Sequence, residues 1–282
     1  MILVTTAGKV GSEASRLLAG RHDRVRVLVR DPEKAAVLAR GGVDVVKGDL
    51  TVPATIDSAM QGVTSVVLVS PAIPAQELNV IGSAVRAGVG HIVKITSEAS
   101  TDSAIARRRG QAEIEDSLVA SGLGYTLLRN NAYMQNFLTL APSIVATSSF
   151  ASSTGDGRIG MIDARDVAAV AAEIAAAPAG HRGKTYWPTG PEAISYADAA
   201  GVLSTVIGRP ITFRRQTTDE EREAMIQAGV PATVADDNAK ALSLFAGGDG
   251  DYVTDDVPTV LGRPARTYTQ FVTDYVQAFS SS

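Results

Sequence analysis

The chain has no cysteine among its 282 residues, which removes disulfides, thiolate metal centres and cysteine nucleophiles at once. Histidine is almost as scarce. His22, His91 and His181 are scattered, with none of the paired spacings of a zinc site. Aromatic residues make up only 5%, too few for the stacking surfaces on which single-stranded nucleic acids are held. Positive charge is not in excess either: 26 Lys and Arg face 30 Asp and Glu, a net charge of −4. That balance argues against a nucleic-acid or anionic-membrane partner. No apolar run reaches the roughly 18–20 residues that a membrane-crossing helix needs, and the first residues read as a core strand rather than a secretory leader. The expectation is a cytoplasmic protein with a small-molecule ligand, and 45% hydrophobic residues are enough for a sizeable core.

What is present is concentrated in residues 1–30. Ile2 to Val4 make a short apolar strand, Thr5-Thr6-Ala7-Gly8 breaks it, and Val10, Ala14, Leu17 and Leu18 recur at helical spacing. Val25 to Val29 form a second apolar strand that ends on Arg30. Strand, glycine turn, helix and strand in that order make the dinucleotide-binding βαβ unit. Gly8 and Gly11 let the backbone approach a pyrophosphate and let the helix pack on the strand. The free N–H groups of the helix and its positive dipole end face the turn, where an anion would sit. Thr6 and Lys9 lie in the same turn. The full fingerprint has a further glycine, and its place is taken by Thr5, whose Cβ disfavours a positive φ. At the end of the second strand a carboxylate bonds the 2′-hydroxyl of NAD, whereas an arginine accommodates the 2′-phosphate of NADP. Arg30, with Lys9 and Lys34 close in sequence, therefore points to NADP(H) over NAD. Asp31 reads as the cap of a helix starting at Pro32.

Strands and helices alternate onward. Strands are expected at Val43–Val46, Val63–Val69, His91–Ile95 and Tyr125–Leu128, and helices at Pro74–Ala87 and Ile105–Ala120. Such alternation, with right-handed crossovers, implies an α/β fold built on a doubly wound parallel sheet, the Rossmann fold. After Asn131 the regularity fades. Met134–Leu140 reads as a helix ended by Pro142, and the Ser/Thr/Gly-rich run Thr147–Gly157 as a loop. Asp163 is expected to cap an Ala-rich helix to Ala177, and Lys184–Trp187 to return to the main sheet. Ser195 is expected to cap a helix over Tyr196–Ile207. A strand at Ile211–Arg214, a charged helix at Thr218–Ala228, a glycine loop at 247–250 and a closing helix at Tyr268–Phe279 complete the chain. The division that follows is a nucleotide-binding domain over residues 1–150, rejoined by 164–177 and 184–187. Residues 151–282 make a smaller, α-rich substrate region.

Several segments together carry a family resemblance. They are Ile2–Glu13, Val25–Pro32 with Gly48-Asp49-Leu50, Val66–Pro71, Ile92–Ser97, Ala112–Phe137, Gly157–Val170, and Lys184–Tyr196 with Gly208-Arg209-Pro210. Through them the chain resembles, over nearly its whole length, the NmrA-like branch of the atypical short-chain dehydrogenase/reductases. That branch includes NAD(P)H-quinone oxidoreductases, triphenylmethane and azo-dye reductases, isoflavone-reductase relatives and a redox-sensing regulator. The resemblance implies that Gly8, Lys9, Val10 and Gly11 hold the pyrophosphate, that Arg30 and Lys34 hold the adenine ribose phosphate, and that Asp49 and Leu50 flank the adenine. It places Ser70 and Pro71 at the nicotinamide ribose, Thr96 and Ser97 near the nicotinamide, and Asn131 and Tyr133 at the carboxamide and substrate. It makes a homodimer plausible.

The chain departs from the family pattern in three ways. Its glycine turn is one residue short, it has no Tyr-x-x-x-Lys pair, and it carries Arg107-Arg108-Arg109 where many relatives place His or Lys. Arginine stays protonated and is a poor general acid. Quinones and cationic dyes delocalise the charge that a hydride brings, so they need a dedicated proton donor less than a ketone does. The expected activity is NADPH-dependent reduction of a quinone-like or other conjugated acceptor, with Tyr133 as a phenolic hydrogen-bond donor and Ser97 as a second candidate helper. Two alternatives stay open: a non-catalytic NADP-sensing regulator, and a cofactor-free cyclase or isomerase on the same scaffold. The arginine triplet reads as a solvated helix face with an Arg109–Glu113 pair, and Lys94 as a structural residue pointing out from a strand end.

Overall fold

A computed structural model describes residues 1–280. In chain order the elements are β1 (Ile2–Val4), α1 (Lys9–Gly20), β2 (Val25–Val29), α2 (Ala36–Arg40), β3 (Asp44–Lys47), α3 (Pro53–Ala59), β4 (Ser65–Leu68), α4 (Pro74–Ala87), β5 (His91–Thr96), α5 (Ala106–Ala120) and β6 (Gly124–Arg129). They continue as α6 (Phe137–Thr147), β7 (Ser149–Ser152), α7 (Ala164–Ala176), β8 (Lys184–Tyr186), α8 (Tyr196–Ile207), β9 (Thr212–Arg215), α9 (Thr218–Gln227), α10 (Ala232–Ala246), α11 (Asp256–Leu261), α12 (Tyr268–Asp274) and α13 (Val276–Phe279). The chain forms two compact units. One comprises Met1–Asn130, Ala164–Pro188 and Asp256–Arg263. The other comprises Asn131–Asp163, Thr189–Asp255 and the chain from Pro264.

The first unit is a seven-stranded parallel sheet in the order β3-β2-β1-β4-β5-β6-β8. This is the doubly wound arrangement expected from the alternating pattern. Chain direction across the sheet reverses between β1 and β4, which makes that pair the topological switch point, where α/β sheets open a crevice at the strands' carboxyl ends. β4 is buried along its whole length (Ser-Val-Val-Leu), as a central strand covered on both faces must be. Leu3, Leu28, Val66, Leu68, Ile92, Ile114 and Leu118 interlock beneath the helices. Local signals end and start the helices as chemistry requires. Pro74 opens α4 and Gly88, at φ 68°, closes it. The Asp31 carboxylate accepts the Glu33 N–H at 3.2 Å and caps a 3₁₀ turn over Pro32–Ala35 that leads into α2.

The second unit has an aromatic core. The Phe137 ring lies 4.8 Å from Tyr196, 5.0 Å from Tyr268 and 5.6 Å from Phe150, centroid to centroid, within the range of favourable edge and tilted contacts. Burial pushes the Tyr196 and Tyr268 phenols above their usual range. Capping boxes at Ser195/Asp198, Thr217/Glu220 and Thr267/Gln270 start α8, α9 and α12.

Several expectations are corrected. The Ser/Thr/Gly run 147–157 is not all loop: it contains β7, paired in parallel with β9. Its small polar residues hide a strand anchored by buried Phe150 and by a partner more than sixty residues away. α6 does not stop at Pro142 but runs through it to Thr147 and ends at Ser148 with φ 53°. A proline inside a helix forfeits one backbone hydrogen bond, and burial of Phe137, Ala141 and Ile144 on the same helix offsets that loss. α10 and α11 were not anticipated, and the closing helix is broken at Tyr275. Lys94 does not point outward but lies fully buried.

Candidate functional site

The glycine turn sits at the switch point, and Thr5 explains how it dispenses with its missing glycine. The Thr5 hydroxyl donates to the Val69 carbonyl at 2.7 Å and accepts the Val69 N–H at 2.9 Å, while Thr6 Oγ1 donates to the same carbonyl at 3.0 Å. Two threonines thus tie the end of β1 to the end of β4. Neither Thr5 nor Gly8 adopts a positive φ, so a Cβ at Thr5 is not strained. Gly11 is the position where only glycine fits, because a Cβ there would lie 1.8 Å from the Thr6 carbonyl oxygen. Gly8 is the N-cap of α1 and supplies no side-chain cap. The first N–H groups of a twelve-residue helix therefore remain open toward the turn, the arrangement that binds phosphate.

Several of the other candidates lie in the same unit. Lys9, Arg30 and Lys34 are exposed cations, with Lys34 Nζ 3.7 Å from Asp31. The Asp49 carboxylate accepts from Thr51 N at 2.8 Å and Thr51 Oγ1 at 2.7 Å. Those bonds, helped by the charge of Arg30, hold it below the usual carboxylate range. Leu50 is buried, and its carbonyl takes the Asn79 amide at 2.9 Å.

At the ends of β4 and β5, buried charge fixes the loops. Ser70 donates to Glu77 Oε1 at 2.6 Å and accepts the Ala72 N–H at 3.0 Å, in a turn where Ala72 stands at φ 60° and Pro71 is exposed. Glu77 is paired with Lys94 at 2.7 Å, both side chains being 0% exposed. Burial pulls the Lys94 ammonium below its ordinary range against the attraction of Glu77. Thr96 donates to Glu115 at 2.8 Å, and Glu115 also holds Arg129, whose guanidinium lies 5.2 Å from the Trp187 ring centroid. Ser97 follows, half-buried. None of this charged scaffold (Glu77, Lys94, Glu115, Arg129) was singled out from the sequence as a unit. Lys94 and Glu77 lie 17 positions apart, in an interior strand and on an interior helix face where a charge signals only that it must be paired.

Asn131 and Tyr133 belong to the second unit. The Asn131 amide is engaged with the backbone, accepting from Ala132 N at 2.7 Å and donating to the Gly250 carbonyl at 3.0 Å. Half-buried Tyr133 lies in a parallel bridge with Ile162, just before a 3₁₀ turn over Met134–Asn136. In the arginine triplet, Arg109 donates to the Ser103 carbonyl at 2.5 Å rather than pairing with Glu113, and Arg108 faces Glu98 at 3.4 Å. Among the described residues no group of three His, Asp or Glu is placed to hold a metal ion, and no helix is long and apolar enough to cross a membrane.

A doubly wound sheet with a glycine turn at its switch point and an uncapped helix above it defines a dinucleotide-binding α/β protein. Residues 1–252 match the NmrA-like family, and the chain belongs to it. It is 36% identical over 289 residues to an NAD(P)H azoreductase of Xenophilus azovorans, covering 100% of both chains. It is 37% identical over 288 residues to a (4-alkanoyl-5-oxo-2,5-dihydrofuran-3-yl)methyl phosphate reductase of Streptomyces griseus, covering 99% of each. Among solved structures, the NADPH-dependent quinone oxidoreductase of Escherichia coli complexed with NADPH superposes with a TM-score of 0.87 at 30% identity. The match covers 98% of this chain and 100% of that one.

Proposed function

We propose that this protein is an NADPH-dependent oxidoreductase that reduces a quinone-like or other conjugated small-molecule acceptor. The observation that carries the reading is the open N-terminus of α1 in a glycine turn at the switch point, with exposed Arg30 at the end of β2. The residues fit the cofactor. Gly11 lets the first turn of α1 close onto the Thr6 carbonyl, the helix offers unpaired N–H donors to the pyrophosphate, and Arg30 and Lys34 supply charge for a 2′-phosphate. When bound, NADPH supplies the hydride, and the protein's part is to orient and to exclude water.

In this reading Thr6, Gly8, Lys9, Val10 and Gly11 hold the pyrophosphate, and Asp49 and Leu50 flank the adenine. Ser70 and Pro71 support the nicotinamide ribose, Thr96 and Ser97 lie near the ring, and Asn131 borders it through the backbone it fixes. Tyr133 offers a phenolic donor to the acceptor. The relatives named above act on azo compounds, an unsaturated lactone phosphate and quinones, all electron-poor conjugated systems. Such an acceptor spreads incoming negative charge, so hydrogen bonds from Tyr133 and Ser97 serve where a ketone would need a dedicated general acid. In this reading residues 151–282 form the mainly substrate-binding region. On the same reading the protein is cytoplasmic, and the resemblance points to a homodimer, which sedimentation of the purified chain checks.

The test is a parallel calorimetric titration with NADPH and NADH, repeated on Arg30→Glu. Wild type binds NADPH at least tenfold more tightly than NADH, and Arg30→Glu removes that preference. A preference unchanged by the substitution refutes the assignment of Arg30. Tight NADPH binding with no oxidation across quinones, azo dyes and unsaturated lactones refutes the reductase and leaves a nucleotide sensor.

A further inference from the structure

Gln111, on α5, is 4% exposed, and its Oε1 has no hydrogen-bond partner among the described residues. Buried side-chain amides in folded proteins are almost always paired. One turn further along the same face, Glu115 shows the usual outcome, bonded to both Thr96 and Arg129. Two contacts locate Gln111. Because α5 connects the parallel strands β5 and β6, it runs antiparallel to them, so its early turns lie beyond their carboxyl ends. Glu115 is fixed at Thr96, the last residue of β5, and Gln111 stands one turn, about 5.4 Å, past it. Next to it, a Cβ on Gly110 would lie 3.1 Å from Pro74 Cγ and 3.8 Å from the Ala72 carbonyl. The helix there touches the loop after β4. Gln111 therefore lies one turn beyond Thr96 on the Glu115 face of α5, next to the residue that meets the loop after β4, with its side chain buried and its Oε1 acceptor unused.

We propose that Gln111 is a ligand-binding residue of the nicotinamide half of the site, where its amide receives an N–H or O–H donor from the bound molecule. The proposal rests on the NADPH reading above. A primary amide pairs an acceptor with a donor and does not ionise near neutral pH. It therefore complements a carboxamide, or the partly reduced edge of a quinone or lactone, and it orients without transferring a proton. The Asn131 amide is already engaged with backbone, which leaves Gln111 as an uncommitted amide. The cofactor's carboxamide and a donor group on the acceptor share this chemistry, and two binding constants separate them.

The experiment uses Gln111→Met, similar in length and apolar, and Gln111→Leu as a second apolar shape, each purified without nucleotide. Thermal melts of the free proteins come first. Because each variant removes an unpaired buried amide, it melts at or above the wild-type temperature. NADPH titration by calorimetry and acceptor kinetics follow. A tenfold or greater loss of NADPH affinity assigns Gln111 to the cofactor's carboxamide. An unchanged NADPH Kd with a tenfold rise in acceptor KM assigns it to the acceptor. If both constants stay within twofold of wild type, or if both variants melt well below it because the amide is engaged within the folded chain, the proposal is overturned. Failure of the wild type itself to bind NADPH overturns the NADPH reading and this proposal together. Wild-type binding with unchanged variants overturns this proposal alone.

Discussion

Gly11→Ala is the sharpest test of how the glycine turn is built. The added methyl would lie 1.8 Å from the Thr6 carbonyl oxygen, where ordinary contact starts near 3.4 Å, so helix and turn must part by about 1.6 Å. The obstacle is backbone, and it is anchored by the Thr5 and Thr6 hydroxyls on Val69, so it cannot swing aside like a flexible side chain. Overpacking of this kind costs about 1–3 kcal/mol, and rigid neighbours put it at the top of that range. Against it stands the gain of about 1 kcal/mol from replacing glycine by alanine in a helix. The net loss of about 2 kcal/mol corresponds to a melting temperature lower by about 4–8 °C for a chain of this size. Moving the first turn also draws its N–H groups away from a bound phosphate. Each hydrogen bond to a charged group is worth about 1.5–3 kcal/mol, so NADPH affinity should fall by about 10–100-fold. Gly20→Ala, at the far end of the same helix with nothing within 4 Å of its Cβ, is the control and should melt at or slightly above wild type. A Gly11→Ala protein with wild-type melting and wild-type NADPH affinity would refute the reasoning, because the close approach would then not be what holds the turn.

Lys94→Met leaves the Glu77 carboxylate buried without its partner and should cost about 3–5 kcal/mol in urea unfolding. Adding Glu77→Leu should recover much of that loss, because removing both charges is far cheaper than stranding one; a double variant less stable than Lys94→Met would contradict this. His91 is 1% exposed. Its Nε2 meets Thr126 Oγ1 at 2.9 Å, and that hydroxyl itself donates to the His181 carbonyl, so Nε2 carries a proton and donates it. Burial, aided by the positive charges of Arg182 and His181, pushes its pKa from 6.5 down to about 4. The unfolded chain therefore takes up a proton below pH 6.5 that the folded chain refuses until about pH 4. Stability should fall as pH drops through that window, by up to about 3 kcal/mol at ~1.4 kcal/mol per pKa unit. Chemical melts of His91→Gln between pH 7 and 4 should show that slope much reduced, and an identical slope would assign the acid sensitivity to other groups.

The parts of the molecule that were legible in the sequence are those whose causes are local. Val66, Val67 and Leu68 had to be a covered strand because no face of them is polar. Ser195 and Asp31 announce helix starts because a side-chain oxygen followed by open N–H groups has few other uses. The alternation of such segments implied the doubly wound sheet. What was hidden depends on contacts across long stretches of chain. β7 reads as loop because its stabilising partner, β9, follows only after α7 and α8. The Thr5 substitution looked like a defect in the turn because the fingerprint names residues and not bonds. The two hydrogen bonds of Thr5 to Val69 show a turn fastened to the neighbouring strand instead of relaxed by glycine. The same blindness concealed Glu77, Lys94 and Gln111. Their meaning lies in burial at the carboxyl edge of the sheet, and each sits in a local pattern (an amphipathic helix, an apolar strand) that a polar residue merely interrupts. An interruption of that kind in an otherwise consistent element is the trace in sequence that a site leaves, since local rules are broken where function outweighs them.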